Sequence, residues 1–120
     1  MLNTKKLFTK VLNSIKNDYI VEQGTSGIWT YRKWNSGIAE CWGNKVSVSV
    51  PAGWSSTGVD INLPFKFITV TLAQVQFRNY QIARAYVVVA NNATSVNIQT
   101  NSDSALSTGA LTAIVKGTWK

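Results

Sequence analysis

The feature that most limits how this chain can fold is the alternation of Val and Ser at residues 46–50, VSVSV. Because successive side chains of a β-strand point to opposite faces, this pattern predicts a strand with one buried face and one solvated face. Similar short segments, separated by Gly, Asn, Ser or Pro, follow one another from residue 19 to the C-terminus. We therefore expect an all-β fold, an antiparallel β-sandwich or jelly roll of about seven or eight strands.

The most aromatic of the predicted strands is residues 28–34, which a tight-turn signal follows at residues 35–37. In this strand Trp29 and Tyr31 fall on one face, whereas Arg32 falls on the other. One set of aromatic rings is expected to fill the core, and the other set then lies at the surface or between subunits. The other predicted strands are residues 38–43, 46–50, 59–63, 65–77, 82–90, 96–99 and 110–119.

Residues 1–18 are predicted to form a separate element ahead of a head domain at residues 19–120. Apolar side chains recur at helical spacing in residues 3–17, with Lys residues on the other side. A helix this short is marginal in water, so it must pack on its own domain or on copies of itself as a coiled-coil neck. A membrane-surface helix is disfavoured, because the apolar side lacks Trp. The predicted oligomer interface consists of Leu7, Phe8, Val11, Leu12 and Ile15.

The composition excludes most catalytic chemistry. The chain has 120 residues, enough for one domain, with no histidine, one cysteine and five acidic residues. Without histidine there is no Ser-His-Asp or Cys-His catalysis, and neither a His-containing nor a Cys-rich zinc site can form. A glycine-rich phosphate-binding loop is also missing. We therefore expect no enzyme activity, no metal and no cofactor, and we expect Glu40 to pair with Arg32 or Lys33 across the first hairpin.

The charge pattern and the apolar segments limit the possible partners. The net charge is +7, but Arg32 and Lys33 point to opposite faces of their strand, which disfavours nucleic acid as a partner. No segment is long and apolar enough to span a membrane, and the basic N-terminus lacks the apolar core of a signal peptide. Membrane insertion is therefore not expected. The lone Cys41 is predicted to be a small buried side chain, consistent with folding in a reducing cytoplasm.

One segment resembles a known family. The residues that carry the resemblance are 19–22 (YIVE), 29–34 (WTYRKW), Gly37 and 39–43 (AECWG), with a weaker echo at the C-terminal Trp119-Lys120. They are similar to the C-terminal domains of tail fibre and tail-tip proteins in phages and prophages of Gram-positive bacteria. The strong part of the match covers about a quarter of the chain.

This resemblance implies a trimeric β-sandwich head at the distal end of a fibre, which recognises a host surface glycan or protein and assembles with other phage tail proteins. It implies no catalytic residue. Such a protein would fold in the host cytoplasm, be released by lysis and reside in the virion tail. The chain starts at Met1 and has no shaft, so it is expected to be a separately encoded tip, a degenerate prophage product or an excised head.

Two alternatives to the receptor-binding head stay open. One is a purely structural tail adaptor or cap that trimerises and binds no receptor, and the other is a free-standing lectin-like module. Residues 51–58 are predicted to be a loop, and its Trp54 either stacks on a sugar or pins the loop to the core. Trp29, Tyr31 and Arg32 are the other candidate ligand-binding residues, although Trp29 is expected to be a core or interface residue first.

Overall fold

The computed structural model describes residues 18–79 and 83–120, except for the side chains of residues 56–58. The described residues form eight β-strands, and every strand pairing is antiparallel. The strands are β1 (Ile20–Ser26), β2 (Trp29–Trp34), β3 (Ile38–Val50), β4 (Gly53–Phe67), β5 (Thr69–Phe77), β6 (Ala83–Val88), β7 (Ala93–Ser102) and β8 (Leu106–Thr118). Leu7, Phe8, Val11, Leu12 and Ile15 of the predicted neck helix lie outside the described residues, so the neck and the division at residue 18 stay predictions.

The strands form two sheets. The five-stranded sheet has the order β1-β2-β3-β8-β5, and the three-stranded sheet has the order β4-β7-β6. Residues of both sheets contribute to one buried core, which confirms the predicted antiparallel β-sandwich. In the described part of the chain, no helix is long and apolar enough to cross a membrane.

The core follows from the alternation of side chains along the strands. On β3 buried residues alternate before and after residues 44–47, and on β8 they alternate from Gly109 onward; the same alternation on β7 buries Val96 and Ile98. Burying an aliphatic or aromatic side chain of this kind stabilises the fold by about 1.5–3 kcal/mol. The largest fully buried side chains are those of Trp29, Phe67, Ile98, Leu111, Val50, Val96, Val115 and Cys41.

Strand β3 joins two segments that we predicted as separate strands, and a bulge between them reverses one prediction. Val48 and Val50 are buried, but Val46 is 63% exposed. The register with β8 shifts between Lys45 and Val48, and Ser47 has a φ of 57°. Because a bulge adds one residue to the strand, Val46 falls on the outer face in phase with the residues before it. The alternation of Val and Ser therefore predicts the strand correctly but places Val46 wrongly.

Strand β4 corrects three further predictions. Residues 53–58 are part of the strand and do not form a loop, and the strand continues through Pro64 instead of ending there. Pro64 is tolerated because β4 is at the edge of its sheet and its register with β7 is irregular between Asn62 and Phe67. The predicted strand at residues 65–77 is instead divided at Ile68, between β4 and β5.

Candidate functional site

Trp29 is a core residue. Its side chain is 1% exposed, and its indole N–H donates a hydrogen bond to the backbone carbonyl oxygen of Asn62 at 2.6 Å. Both faces of the ring are enclosed, so a surface ligand cannot reach them. Its expected role in the core is confirmed, and its burial leaves little ring surface to offer a ligand.

Tyr31 and Arg32 lie on opposite faces of β2. The Tyr31 ring is half-buried against the core and meets Phe65 edge to face, with 5.5 Å between the ring centroids. Arg32 lies on the outer face, where its guanidinium is 5.4 Å from the centroid of the Trp42 ring. Because they project from opposite faces, these two residues cannot serve one ligand site together.

The ion pairs near β2 differ from the predicted pattern. Glu40 pairs with Lys116 of β8, at 3.7 Å, and not with Arg32 or Lys33. Lys33 points toward the core side, where its ammonium lies 2.7 Å from the Glu22 carboxylate and 4.7 Å from the centroid of the Phe65 ring. Alternation along β2 puts Lys33 and Glu40 on different faces of the sheet. Arg32 does lie directly opposite Glu40, but its guanidinium is placed over the Trp42 ring.

Trp54 belongs to the one pair of exposed aromatic rings that the described residues place side by side. It lies on β4 and is 54% exposed, so it does not pin a loop to the core. Its ring is 5.4 Å from the ring of Tyr86 on β6, centroid to centroid, and the two planes are tilted by 53°. Tyr86 is 45% exposed. The pair therefore presents two large apolar surfaces to solvent on the outer face of the three-stranded sheet.

Polar side chains surround these two rings. Strand β7 lies between β4 and β6, and its register places Asn101 opposite both Trp54 and Arg84, and Gln99 opposite Tyr86. Directly opposite residues project from the same face of a sheet. We call the set formed by Trp54, Arg84, Tyr86, Gln99 and Asn101 the aromatic platform. It combines two ring faces with two amides and one guanidinium.

A groove adjoins this platform. Strands β5 and β6 are edge strands of different sheets, and no β-ladder joins them within the described residues. The groove beside them has a volume of about 560 Å³. Its lining residues are Ala73, Gln74, Val75, Gln76, Ala85, Tyr86, Val87, Thr112 and Ile114. Tyr86 therefore belongs both to the platform and to the groove.

The platform offers several groups that suit ligand binding. Amides both donate and accept hydrogen bonds, a guanidinium donates, and the aromatic rings offer flat apolar faces. Hydroxyl groups and C–H faces alternate on a sugar ring, so this combination suits a carbohydrate. Among the described residues, no three His, Cys, Asp or Glu side chains lie close enough together to hold a metal ion.

Sequence reasoning identified only Trp54 of this platform. Arg84 and Tyr86 lie two residues apart in the predicted strand 82–90, so alternation alone could have placed them on one face. Their position beside Trp54 depends on the pairing of both β4 and β6 with β7. That long-range register leaves no local signal in the sequence.

The comparison with known proteins supports the fold. No protein-family model matches the sequence, and no curated protein matches it. An N-truncated R1-type pyocin tail fibre superimposes with a TM-score of 0.58 at 13% identity, over 98% of each chain.

Two R2 pyocin fibres give similar results. The C-terminal part of the P. aeruginosa R2 fibre has a TM-score of 0.55 at 19% identity, and an N-truncated R2-type tail fibre has 0.53 at 20%. Each match covers 81% of this chain, but the chain spans only 26% of the first fibre structure and 38% of the second. The chain thus has the β-sandwich fold of a domain found in pyocin tail fibres.

Proposed function

We propose that this chain is a tail fibre domain of a phage or phage-like particle that binds a host surface glycan through the aromatic platform. The fold similarity to pyocin tail fibres supports the first part of the proposal. The platform supports the second part, because it combines exposed rings with hydrogen-bonding groups. The proposed activity is binding without catalysis.

The observation that carries this proposal is the contact between Trp54 and Tyr86. Single exposed hydrophobic residues are common on protein surfaces, but adjacent exposed rings are typical of binding sites. Both rings project from strands of one sheet, so the fold holds them in place without a ligand. A preformed site of this kind loses little conformational entropy on binding.

Homotrimer formation belongs to the same proposal. The neck residues Val11 and Ile15 would hold three copies together, and other tail proteins would attach the trimer to the virion. Folding in the host cytoplasm, release by lysis and a Gram-positive host also remain proposals. Light scattering on a sizing column tests the trimer directly, and a Val11→Asp/Ile15→Asp variant should then elute at a lower mass.

A structural adaptor or cap is the second candidate function. Several apolar side chains are exposed on the described strands, among them Val46 at 63% and Val88 at 53%. Contact with other tail components would bury such side chains and would also explain them. An adaptor would bind its partner proteins and no glycan.

The test is binding of the purified full chain to an array of purified bacterial surface polysaccharides. We expect binding to at least one of them, and we expect Trp54→Ala and Tyr86→Ala to weaken it by roughly 30-fold each, as for a central contact residue. Trp54→Phe keeps a ring and should retain most of the affinity. Val46→Ala, on the other sheet, is the matched control. Absence of binding to every polysaccharide would reject the proposal in favour of the adaptor. Equal binding by Trp54→Ala would instead reject the aromatic platform as the glycan site.

A further inference from the structure

We propose that the groove beside β5 and β6 is a second part of the glycan site, which binds uncharged sugar units next to the unit stacked on the aromatic platform. The ligand would then be an internal stretch of an oligosaccharide and not a single terminal sugar. This inference rests on the proposed function, since it extends the same site. It makes the groove responsible for selecting chain length and charge.

The first argument is continuity between the two surfaces. Tyr86 contacts Trp54 on one side and lines the groove on the other. A smaller hollow of about 290 Å³, lined in part by Gln76, Arg84 and Tyr86, lies at the same edge. A chain of sugars that leaves the platform past Tyr86 therefore enters the groove directly.

The second argument is the chemistry of the groove. Gln74 and Gln76 are exposed, and their amides can each donate and accept hydrogen bonds. The hydroxyl of Thr112 donates to the side-chain oxygen of Asn44 at 2.8 Å, so its own oxygen can still accept. Val75, Val87 and Ile114 supply apolar wall. Amides beside apolar patches match the hydroxyl groups and C–H faces of a sugar ring.

The third argument is charge. Lys, Arg, Asp and Glu are absent from the described residues that line the groove of about 560 Å³. A charged ligand group would lose water there without gaining an ionic partner, which is unfavourable. An uncharged sugar exchanges its water for amides at little cost. Within the described site, Arg84 on the platform is the cationic group, so an acidic sugar would have to sit there.

The fourth argument is that β5 and β6, which flank the groove, are both edge strands. Within the described residues, β5 forms a ladder only with β8, and β6 only with β7. An edge strand presents backbone N–H and C=O groups that no ladder uses, and the hydroxyl groups of a sugar are suitable partners for such groups. The volume also fits, because small-molecule sites generally occupy about 300–1,000 Å³.

The experiment uses fragments of the polysaccharide that the full chain binds, cut to lengths of one to four sugar units. Calorimetry gives the Kd for each length. We expect affinity to rise about tenfold between one unit and three, because two or more additional hydrogen bonds form in the groove. The double variant Gln74→Ala/Gln76→Ala should lose this gain while its Kd for one unit stays unchanged. Gln23→Ala, an exposed Gln on β1 at the far edge of the same sheet, should keep the gain.

The outcomes separate this inference from the proposed function. If Trp54→Ala weakens binding but the groove variant keeps the full gain with length, the groove proposal is overturned and glycan binding stands. If the groove variant changes the oligomer mass and not the length dependence, the groove is an interface between copies and the proposal is also overturned. If no polysaccharide binds, both fail together. Melting curves of each variant check folding, and we expect little change since both Gln side chains are exposed.

Discussion

The indole N–H of Trp29 on β2 donates a hydrogen bond to the backbone carbonyl oxygen of Asn62 on β4, and so joins the two sheets across the core. We expect Trp29→Phe to lower the free energy of unfolding by about 1–3 kcal/mol, since the carbonyl loses its partner while much of the ring packing remains. Trp29→Ala should cost about 3–5 kcal/mol, because it also leaves a cavity. Urea unfolding followed by circular dichroism measures both. The control is Trp54→Phe, which is exposed and should change stability by less than about 0.5 kcal/mol.

Ser47→Gly should stabilise the protein. Ser47 has a φ of 57°, a left-handed conformation that costs an L-residue about 1–2 kcal/mol and costs glycine almost nothing. Glycine also has more freedom in the unfolded chain, so the net gain should be about 0.5–1 kcal/mol. Thermal unfolding measures the gain. Asn92→Gly is the matched control: its φ is 59°, but Asn tolerates this region, so it should gain less. Equal effects at both positions would contradict this account.

The bulge at Ser47 also shows where sequence reasoning stops. Alternation of apolar and polar residues predicts the all-β class, because it reports which face of a strand is buried. It cannot report an inserted residue, so Val46 is assigned to the core although it is 63% exposed. Likewise, proline breaks a central strand but is tolerated in an edge strand, which is where Pro64 lies. Whether a strand is central or at an edge depends on the whole fold, so local sequence does not reveal it.

The candidate site, too, could be predicted from the sequence only in part. The sequence identified Trp54 as a candidate, but it left open whether the ring stacks on a ligand or pins a loop to the core, and residues 53–58 belong to a strand instead of that loop. The Tyr86 ring is brought to Trp54 by β7, which lies between their two strands. Trp29 shows a further limit, because aromatic density alone does not distinguish a core ring from a binding ring. The two kinds of ring differ in their burial, and the burial of Trp29 depends on packing against the three-stranded sheet.

Cys41 should be unreactive in the folded protein. Burial raises the pKa of the Cys41 thiol to about 12, against a hydrogen bond to the Val115 backbone that lowers it. Because the thiolate is the nucleophile, labelling by a thiol reagent near neutral pH should be very slow in buffer and rapid in guanidinium chloride. Fast labelling of the folded protein would show that β3 opens locally.

The same shift predicts how stability depends on pH. The thiol ionises near 9.0 in the unfolded chain and near 12 in the folded protein. The contribution of Cys41 is therefore complete below pH 9.0 and is lost as the pH rises from 9.0 toward 12. Chemical unfolding at several alkaline pH values measures this decline. Cys41→Ala lacks the thiol, so its stability should fall less steeply over that window, although it starts lower because the buried sulfur is gone.

Gly117 on β8 is predicted to be intolerant of any side chain. A Cβ at this position would overlap the backbone carbonyl oxygen of Thr69 on the neighbouring strand β5, and backbone atoms cannot move aside as a flexible side chain can. Gly117→Ala should therefore destabilise the protein by more than about 3 kcal/mol or prevent folding, as for severe overpacking. The control is Gly53→Ala, where a Cβ meets nothing within 4 Å and only the φ of 82° opposes it. That variant should cost about 1–2 kcal/mol and stay folded. Urea unfolding compares the stability of the two variants. If Gly117→Ala is as stable as Gly53→Ala, the backbones of β5 and β8 are farther apart at this position than the structure shows.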